Sequence, residues 1–354
     1  MPICPSPRVV RLNARTMPMD ESERSLLATL DAKLIEVEGA TDAEVLAACG
    51  DADAILIVSA YLRGPVIAAL TRCKIISRIG TGVDKIDLDA ATRQGIIVNN
   101  LPNVFTEEVA DHTLALLLTA ARQLKFLDHE MRQGRRSASL PNLHRLSVQT
   151  VGIIGFGLIG RAVARRCRAF GLRVLAHDPG LTPELAAREG VTGADLDTLL
   201  AESDYLCPLC PLLPRTRGML AMPEFRKMKR TAVLVNTGRG ELANEDDLAV
   251  ALKAGIIRYA ALDVFGIVNV FGEDGFPTGH PLFKLENVFL TPHVAAVSDE
   301  AAADCRRRAS QAVIDVMRGT WPEHVVNPTV RPWFAPGQGP GDARSEINRK
   351  LHHD

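Results

Sequence analysis

The stretch VGIIGFGLIGRAVARRCRAFG, residues 151–171, limits the fold of this chain more than any other segment. An apolar run, VGIIG, meets three glycines, Gly155, Gly157 and Gly160. Ile159, Ala162, Val163, Cys167 and Phe170 then recur at helical spacing, and Gly171 can end the helix. RVLAHDP (173–179) reads as a second strand ending in Asp178. Each part has a physical task. Gly155 permits the tight turn, Gly157 lets a pyrophosphate approach the backbone, and Gly160 lets helix and strand pack closely. Leu158 and Ile159 belong to the same cradle, where the helix N-terminus offers unpaired N–H groups and a partial positive charge. Asp178 can accept hydrogen bonds from an adenosine ribose and repels a 2′-phosphate, so NAD is favoured over NADP. The glycines alone are weak evidence, and a tight turn without a ligand would use them too. The strand before, the helix after and the acid on the next strand make the signal strong.

The rest of the chain repeats this alternation. RVVRL (8–12), AILIVS (54–59), KIISRI (74–79) and IIVNN (96–100) read as strands. ESERSLLATLDAKL (21–34) and PVIAALTRC (65–73) read as helices. An unbroken apolar run such as AILIVS suits a strand covered on both faces. A long helix is expected from about Thr106 to Met131, with Thr106 as its cap and Glu107 and Glu108 at the positive end of its dipole. After a polar loop (134–147), a fresh βαβ series runs from Thr150 to about Leu290. The expected class is α/β, with two doubly wound domains. Residues 332–354, rich in Pro, Gly and charge, read as a tail.

Composition excludes several classes of function. With 41 basic and 42 acidic residues, the chain offers no broad surface for nucleic acid or anionic membrane. The arginine runs at 132–136 and 306–308 read as solvated faces. Seven scattered cysteines argue against a disulfide framework and for a reducing, cytoplasmic setting. CPLC (207–210) has no second pair for a metal, and none is expected. The N-terminus lacks the apolar core of a signal peptide, and TLALLLTAA (113–121) is too short to span a bilayer.

A nicotinamide cofactor would need help from the protein. Reduction of a 2-oxo acid calls for a cation that fixes the carboxylate and a proton donor titrating near neutrality. Arg239, in AVLVNTGRGEL (232–242), stands where an apolar strand enters a glycine-flanked turn. Its fork suits a carboxylate. His293 follows the strand NVFLTP (287–292) and suits the proton. Read locally, Arg239 could be an exposed loop residue, and His293 could cap the helix that follows.

Together these segments resemble the NAD-dependent D-isomer-specific 2-hydroxyacid dehydrogenases, over about residues 50–329. RIGTGVDKIDLDAATRQGIIVNN (78–100), EEVADHTLALLL (107–118), LLPRTRGML (212–220), VNTGRGEL, ALDVF (261–265) and HPLFKLENVFLTPHVA (280–295) carry the resemblance beside the glycine loop. It implies a discontinuous, flavodoxin-like substrate domain formed by 1–104 and 294–330. A Rossmann NAD domain would occupy 105–293, the tail 331–354, and the active site the cleft between the domains. It implies that Thr81 and Gly82 bind the substrate carboxylate beside Arg239. Cys210, Pro211, Thr216, Thr237, Gly238 and Asp263 would line the cofactor. It also implies a homodimer built through the nucleotide domain.

The family places a catalytic Glu shortly after DVF, followed by Pro. Counting forward from Asp263, that position holds Val268; counting back from His280-Pro281-Leu282, it holds Asp274. DVFGIV and NVFGED are near-duplicates, so the chain resembles the family with a short insertion. The acid serving His293 is then Asp274, by position, or Glu273, by residue type and reach, unless both are solvated loop acids. The expected activity interconverts a small D-2-hydroxy acid and its 2-oxo acid, with glyoxylate or hydroxypyruvate first. The other readings are an NAD-sensing, corepressor-like interaction protein, or an enzyme of the same fold acting on formate or phosphite.

Overall fold

The apolar runs become parallel strands, and these fall into two sheets. The computed structural model describes residues 6–136, 143–270 and 278–334. The first sheet contains β1 (Arg8–Leu12), β2 (Lys33–Val37), β3 (Ala54–Ile57), β4 (Ile75–Arg78) and β5 (Ile97–Asn99), in the order β2-β1-β3-β4-β5. The second contains β6 (Thr150–Ile154), β7 (Arg173–His177), β8 (Thr192–Gly193), β9 (Tyr205–Pro208), β10 (Val233–Asn236), β11 (Tyr259–Leu262) and β12 (Val288–Leu290). Its order is β12-β11-β10-β9-β6-β7-β8. Strand order reverses between β1 and β3 in the first sheet and between β6 and β9 in the second. These are doubly wound sheets of flavodoxin-like and Rossmann type, as the sequence led us to expect.

Successive side chains on each strand enter opposite cores. In the second sheet Val174, Cys207, Val235 and Ala261 pack on one face, with Leu116 and Leu117 of the helix Thr106–Ala121. Leu175, Leu206, Leu234 and Ala260 pack on the other. The first sheet has its own pair of cores, with Val10, Ile55 and Ile76 on one face and Val9, Leu56 and Ile75 on the other. Two compact units result, one from the chain through Phe105 and again from Ser298, the other from Thr106 to Val297. The turn after His293 therefore stays with the second unit, where the expected boundary at 294 would have divided it.

Several elements differ from expectation. The helix expected over 21–34 is Glu21–Ala28, capped by Asp20. Asp31 turns left-handed (φ 51°), and KLIEV is the edge strand β2. The helix Asp42–Cys49, closed by a Thr41–Glu44 capping box, was not foreseen. The helix expected over 65–73 is only Gly64–Ala68. The long helix from Thr106 is two helices, Thr106–Ala121 and Leu124–Arg132, separated where Gln123 adopts φ 53°. Of the arginines at 306–308, only Arg307 is open to solvent. Arg306 and Arg308 are largely covered and reach Asp20 (3.5 Å) and Asn103 (2.8 Å).

Candidate active site

In open α/β sheets, ligands bind beyond the C-terminal ends of the strands. In the second sheet Ile154 pairs with His177 and Pro208, Asn236 with Leu262, and Leu262 with Leu290. One residue beyond these positions come Gly155, Asp178, Leu209, Thr237, Asp263 and Thr291, all at one edge. Most of the residues expected to hold a cofactor or react belong to this edge or to the loops leaving it.

Gly155 adopts φ 94°, and a Cβ there would lie 2.5 Å from the Cys210 amide nitrogen. At Gly160 a Cβ would run into the Gly155 carbonyl. Both positions therefore require glycine. At Gly157, the N-cap of the helix Leu158–Ala169, a Cβ would meet nothing within 4 Å. That open space, faced by the unpaired first-turn amides of Leu158 and Ile159, is a cradle that a Cβ would partly fill. It fits a dinucleotide pyrophosphate. Asp178 directly follows β7 and accepts the Phe156 amide (2.8 Å) and the Gly180 amide (2.7 Å). Its carboxylate thus also braces the glycine loop, with acceptor capacity remaining for a ribose.

The loop after β9 carries Cys210, Pro211 and Thr216. Thr216 accepts the Leu213 amide (2.7 Å) and donates to the Pro211 carbonyl (2.7 Å), folding this loop on itself. Burial pushes the Cys210 thiol up and holds the Cys207 thiol well above the ordinary range, in the core beside Cys167. Such thiols are inert. Among the described residues no group of His, Cys, Asp and Glu could hold a metal.

Asn236 organises the arginine loop. Its amide donates to the Arg239 carbonyl (2.9 Å) and its oxygen accepts the Gly238 N–H (3.0 Å). Arg239 is half-buried, and Nη1 donates to the Gly238 carbonyl (2.9 Å). Thr237 is buried, with its hydroxyl 2.6 Å from that of Thr113.

Asp263 is fully buried between the arginine and histidine loops in strand order. Oδ1 accepts the Thr291 hydroxyl (2.6 Å) and the Val294 amide (2.9 Å), and Oδ2 accepts the Ala295 amide (2.9 Å). His112 Nε2 stands 3.5 Å from Oδ1 and 3.0 Å from Thr291 Oγ1. Burial alone would raise this carboxyl's pKa. The bonds from His112, Thr291 and the two amides outweigh it and hold the pKa below the ordinary value. The carboxylate grips the chain on both sides of His293, which adopts φ 58°, uncommon outside glycine. His293 does not cap the next helix, because Ser298 does, accepting the Ala301 amide (3.0 Å).

In the first unit, Thr81 and Gly82 lie in the loop after β4. Arg78 Nε donates to the Gly82 carbonyl (2.9 Å), and Asn100 donates to the Thr81 carbonyl (2.8 Å). The loop is thereby fixed from within.

Glu273 and Asp274 lie outside the described residues. The residues that sequence reasoning missed are supports: His112, Thr113 and Thr291, and Glu245. Glu245 is buried and binds the amides of Gly266 (3.1 Å) and Ile267 (2.8 Å), tying the segment after DVF to the helix Glu245–Lys253. Its signal was the NEDD run, which reads as ordinary helix-start acid.

Fold and edge together define a dinucleotide-binding α/β protein with an arginine and a histidine on loops that flank one buried aspartate. Residues 114–295 match the family described as D-isomer specific 2-hydroxyacid dehydrogenase, NAD binding domain. The chain is 37% identical over 306 residues to the D-3-phosphoglycerate dehydrogenase of Mycobacterium bovis. That match covers 84% of this chain and 57% of the relative, so the chain spans little more than half of that protein's length. It is 37% identical over 292 residues to the glyoxylate reductase of Korarchaeum cryptofilum, covering 81% of this chain and 86% of the relative. Among solved structures it is similar to an NADPH-dependent glyoxylate/hydroxypyruvate reductase from Sinorhizobium meliloti in complex with NADP and malonate. There the TM-score is 0.78 and the identity 29%, over 93% of this chain and 99% of that one. The chain belongs to the D-isomer-specific 2-hydroxyacid dehydrogenase family, and its cofactor is a nicotinamide dinucleotide.

Proposed function

We propose that the protein interconverts a small D-2-hydroxy acid and its 2-oxo acid, preferring NAD, with glyoxylate or hydroxypyruvate as the first substrates to try. The observation that carries this reading is the buried Asp263, which grips the turn of His293 next to the strand that leads to Arg239. Bound NADH supplies the hydride in the reducing direction. Arg239 holds the substrate carboxylate and polarises the ketone oxygen, because a guanidinium offers paired donors that stay charged. His293 delivers a proton to that oxygen and takes it back in the reverse direction. The glycine loop with Leu158 and Ile159 takes the pyrophosphate, and Asp178 the ribose. Cys210, Pro211, Thr216, Thr237 and Gly238 line the nucleotide. We assign Thr81 and Gly82 to the substrate carboxylate, Asp274 to pairing with His293, and Glu273 as the alternative acid. In domain terms, the second unit is the NAD domain and the first the substrate domain.

We further propose a homodimer. Leu124, Phe126 and Met131 are exposed, and no residue of their helix is buried within its own unit. A second copy would cover that face. A reducing, cytoplasmic setting accords with six free cysteines among the described residues. No described helix is long and apolar enough to cross a membrane.

The test is NADH oxidation against glyoxylate, hydroxypyruvate, pyruvate and phosphohydroxypyruvate, repeated with NADPH. Turnover of any of them supports the reading, and Asp274→Asn and Glu273→Gln then show which acid serves His293. Tight NADH binding without turnover of any 2-oxo acid would instead favour the NAD-sensing interaction protein.

A further inference from the structure

Two neighbouring residues of the helix Thr106–Ala121 each hold one loop of the candidate site. His112 Nε2 is 3.0 Å from Thr291 Oγ1, and the chain two residues on is His293. Thr113 Oγ1 is 2.6 Å from Thr237 Oγ1, and the chain two residues on is Arg239. We propose that His112 and Thr113 are positioning residues for the reaction, bracing the His293 and Arg239 loops against the same helical turn. The inference rests on the proposed function for its catalytic consequence, but the brace itself stands on geometry.

Hydroxyl arithmetic fixes the direction of each bond. A threonine hydroxyl has one hydrogen. Thr291 is 2.6 Å from an Asp263 oxygen, and an ionised carboxylate only accepts, so that hydrogen points to Asp263. Thr291 can then only accept from His112, and the hydrogen-bond network assigns the Nε2–H tautomer to this ring. The relay runs from His112 through Thr291 to Asp263, whose other bonds fix Val294 and Ala295. On the second arm, Thr113 lies 2.6 Å from the Val109 carbonyl, which has no hydrogen to give. Thr113 therefore donates there, and Thr237 must donate to Thr113. The Thr237 hydroxyl has no hydrogen left for a nucleotide, so its side chain holds the arginine loop, and any donor it gives a cofactor is its backbone N–H.

The arms are chemically different. Thr113 and Thr237 are both buried, a neutral pair in a dry place, where losing Thr113 takes from the Thr237 hydroxyl the acceptor of its hydrogen. The His112 arm ends on a buried charge, the stronger kind of acceptor. Both loops follow strands of the same sheet, with β11 between them. A shift at either residue would change where its loop's reacting group stands, and a small misplacement is costly in rate.

The test compares Thr113→Val, Thr237→Val and their double mutant with His112→Leu and His112→Gln. Readouts are hydrogen exchange by loop, NADH affinity, and kcat and KM on the best 2-oxo acid. In Thr113→Val, exchange should rise about tenfold across 237–241 and stay unchanged across 291–296, since one buried hydrogen bond is worth about a factor of ten. His112→Leu should give the reverse pattern. In both, kcat should fall about tenfold with NADH affinity within about twofold. His112→Gln keeps an N–H donor and should recover most of the loss. The threonine double mutant should lose no more than either single one. Uniform exchange in both loops, or a kcat loss that only follows the unfolded fraction, would overturn the brace. If the wild-type protein turns over none of the 2-oxo acids, the function reading fails, and the exchange arm still decides the brace.

Discussion

Asp263 shows what a single buried carboxylate does for this site. Its pKa lies below the ordinary value of 3.8, so its ionised form stabilises the fold above that pH, and the contribution is lost as pH falls through the lower folded value. Asp263→Asn removes the charge and mismatches several donors. Its unfolding free energy at pH 7 should drop by about 2–3 kcal/mol. Urea titrations at pH 7, 5 and 3 check the sign, because the gap to wild type should narrow towards pH 3. A gap that widens on acidification would contradict the assigned ionisation. Asp178 makes a second prediction at this scale. Asp178→Asn keeps an acceptor for the Phe156 and Gly180 amides but removes the repulsion of a 2′-phosphate. The ratio of kcat/KM for NADPH over NADH should rise about tenfold, which corresponds to about 1.4 kcal/mol. The places of Arg239, His293 and Asp178 just beyond strand ends were legible, because each follows an apolar run that stops at a turn. His112 was not, because its role depends on Thr291, 179 residues away in the chain.

At the scale of elements, legibility followed burial. β3 and β6 are apolar on nearly every residue because both faces are covered, and their sequences say so. β2 is an edge strand in which no residue is fully buried, and KLIEV joined the preceding helical pattern without a break in hydrophobicity. The break in the long helix was hidden for another reason. Gln123 stands just past the end of Thr106–Ala121 in the left-handed region, where glycine is the usual residue, and glutamine gives no such signal. Its side chain donates to the Ala120 carbonyl (2.8 Å), a small compensation. Gln123→Gly should therefore stabilise the protein by about 0.5–1 kcal/mol, measured as a rise in the urea midpoint at constant slope. A fall in the midpoint would mean that the side-chain bond matters more than the backbone strain.

For the whole molecule, the decisive feature is that the first unit is made from both ends of the chain. Composition did not reveal this, and only the family resemblance implied it, because the joining contacts span more than two hundred residues. Ser77 donates to the Ala309 carbonyl (3.0 Å), and Ser310 donates to Glu23 (3.0 Å), the buried partner of Arg11. Asn327 does the most. Its oxygen accepts the Val98 amide (2.9 Å), and its amide donates to the Ile96 carbonyl (2.9 Å) and to Thr92 (3.2 Å). Asn327 is buried, so truncation would strand a backbone N–H and a carbonyl of the β5 region without water to replace the lost partner. Asn327→Ala should cost about 2–4 kcal/mol. Because each sheet has its own pair of cores, that cost belongs to the first unit. Hydrogen exchange should accelerate in β1, β3, β4 and β5 and remain at wild-type rates in β6, β9, β10 and β11. Equal acceleration in both sheets would mean that the two units open as one cooperative system, despite their separate cores.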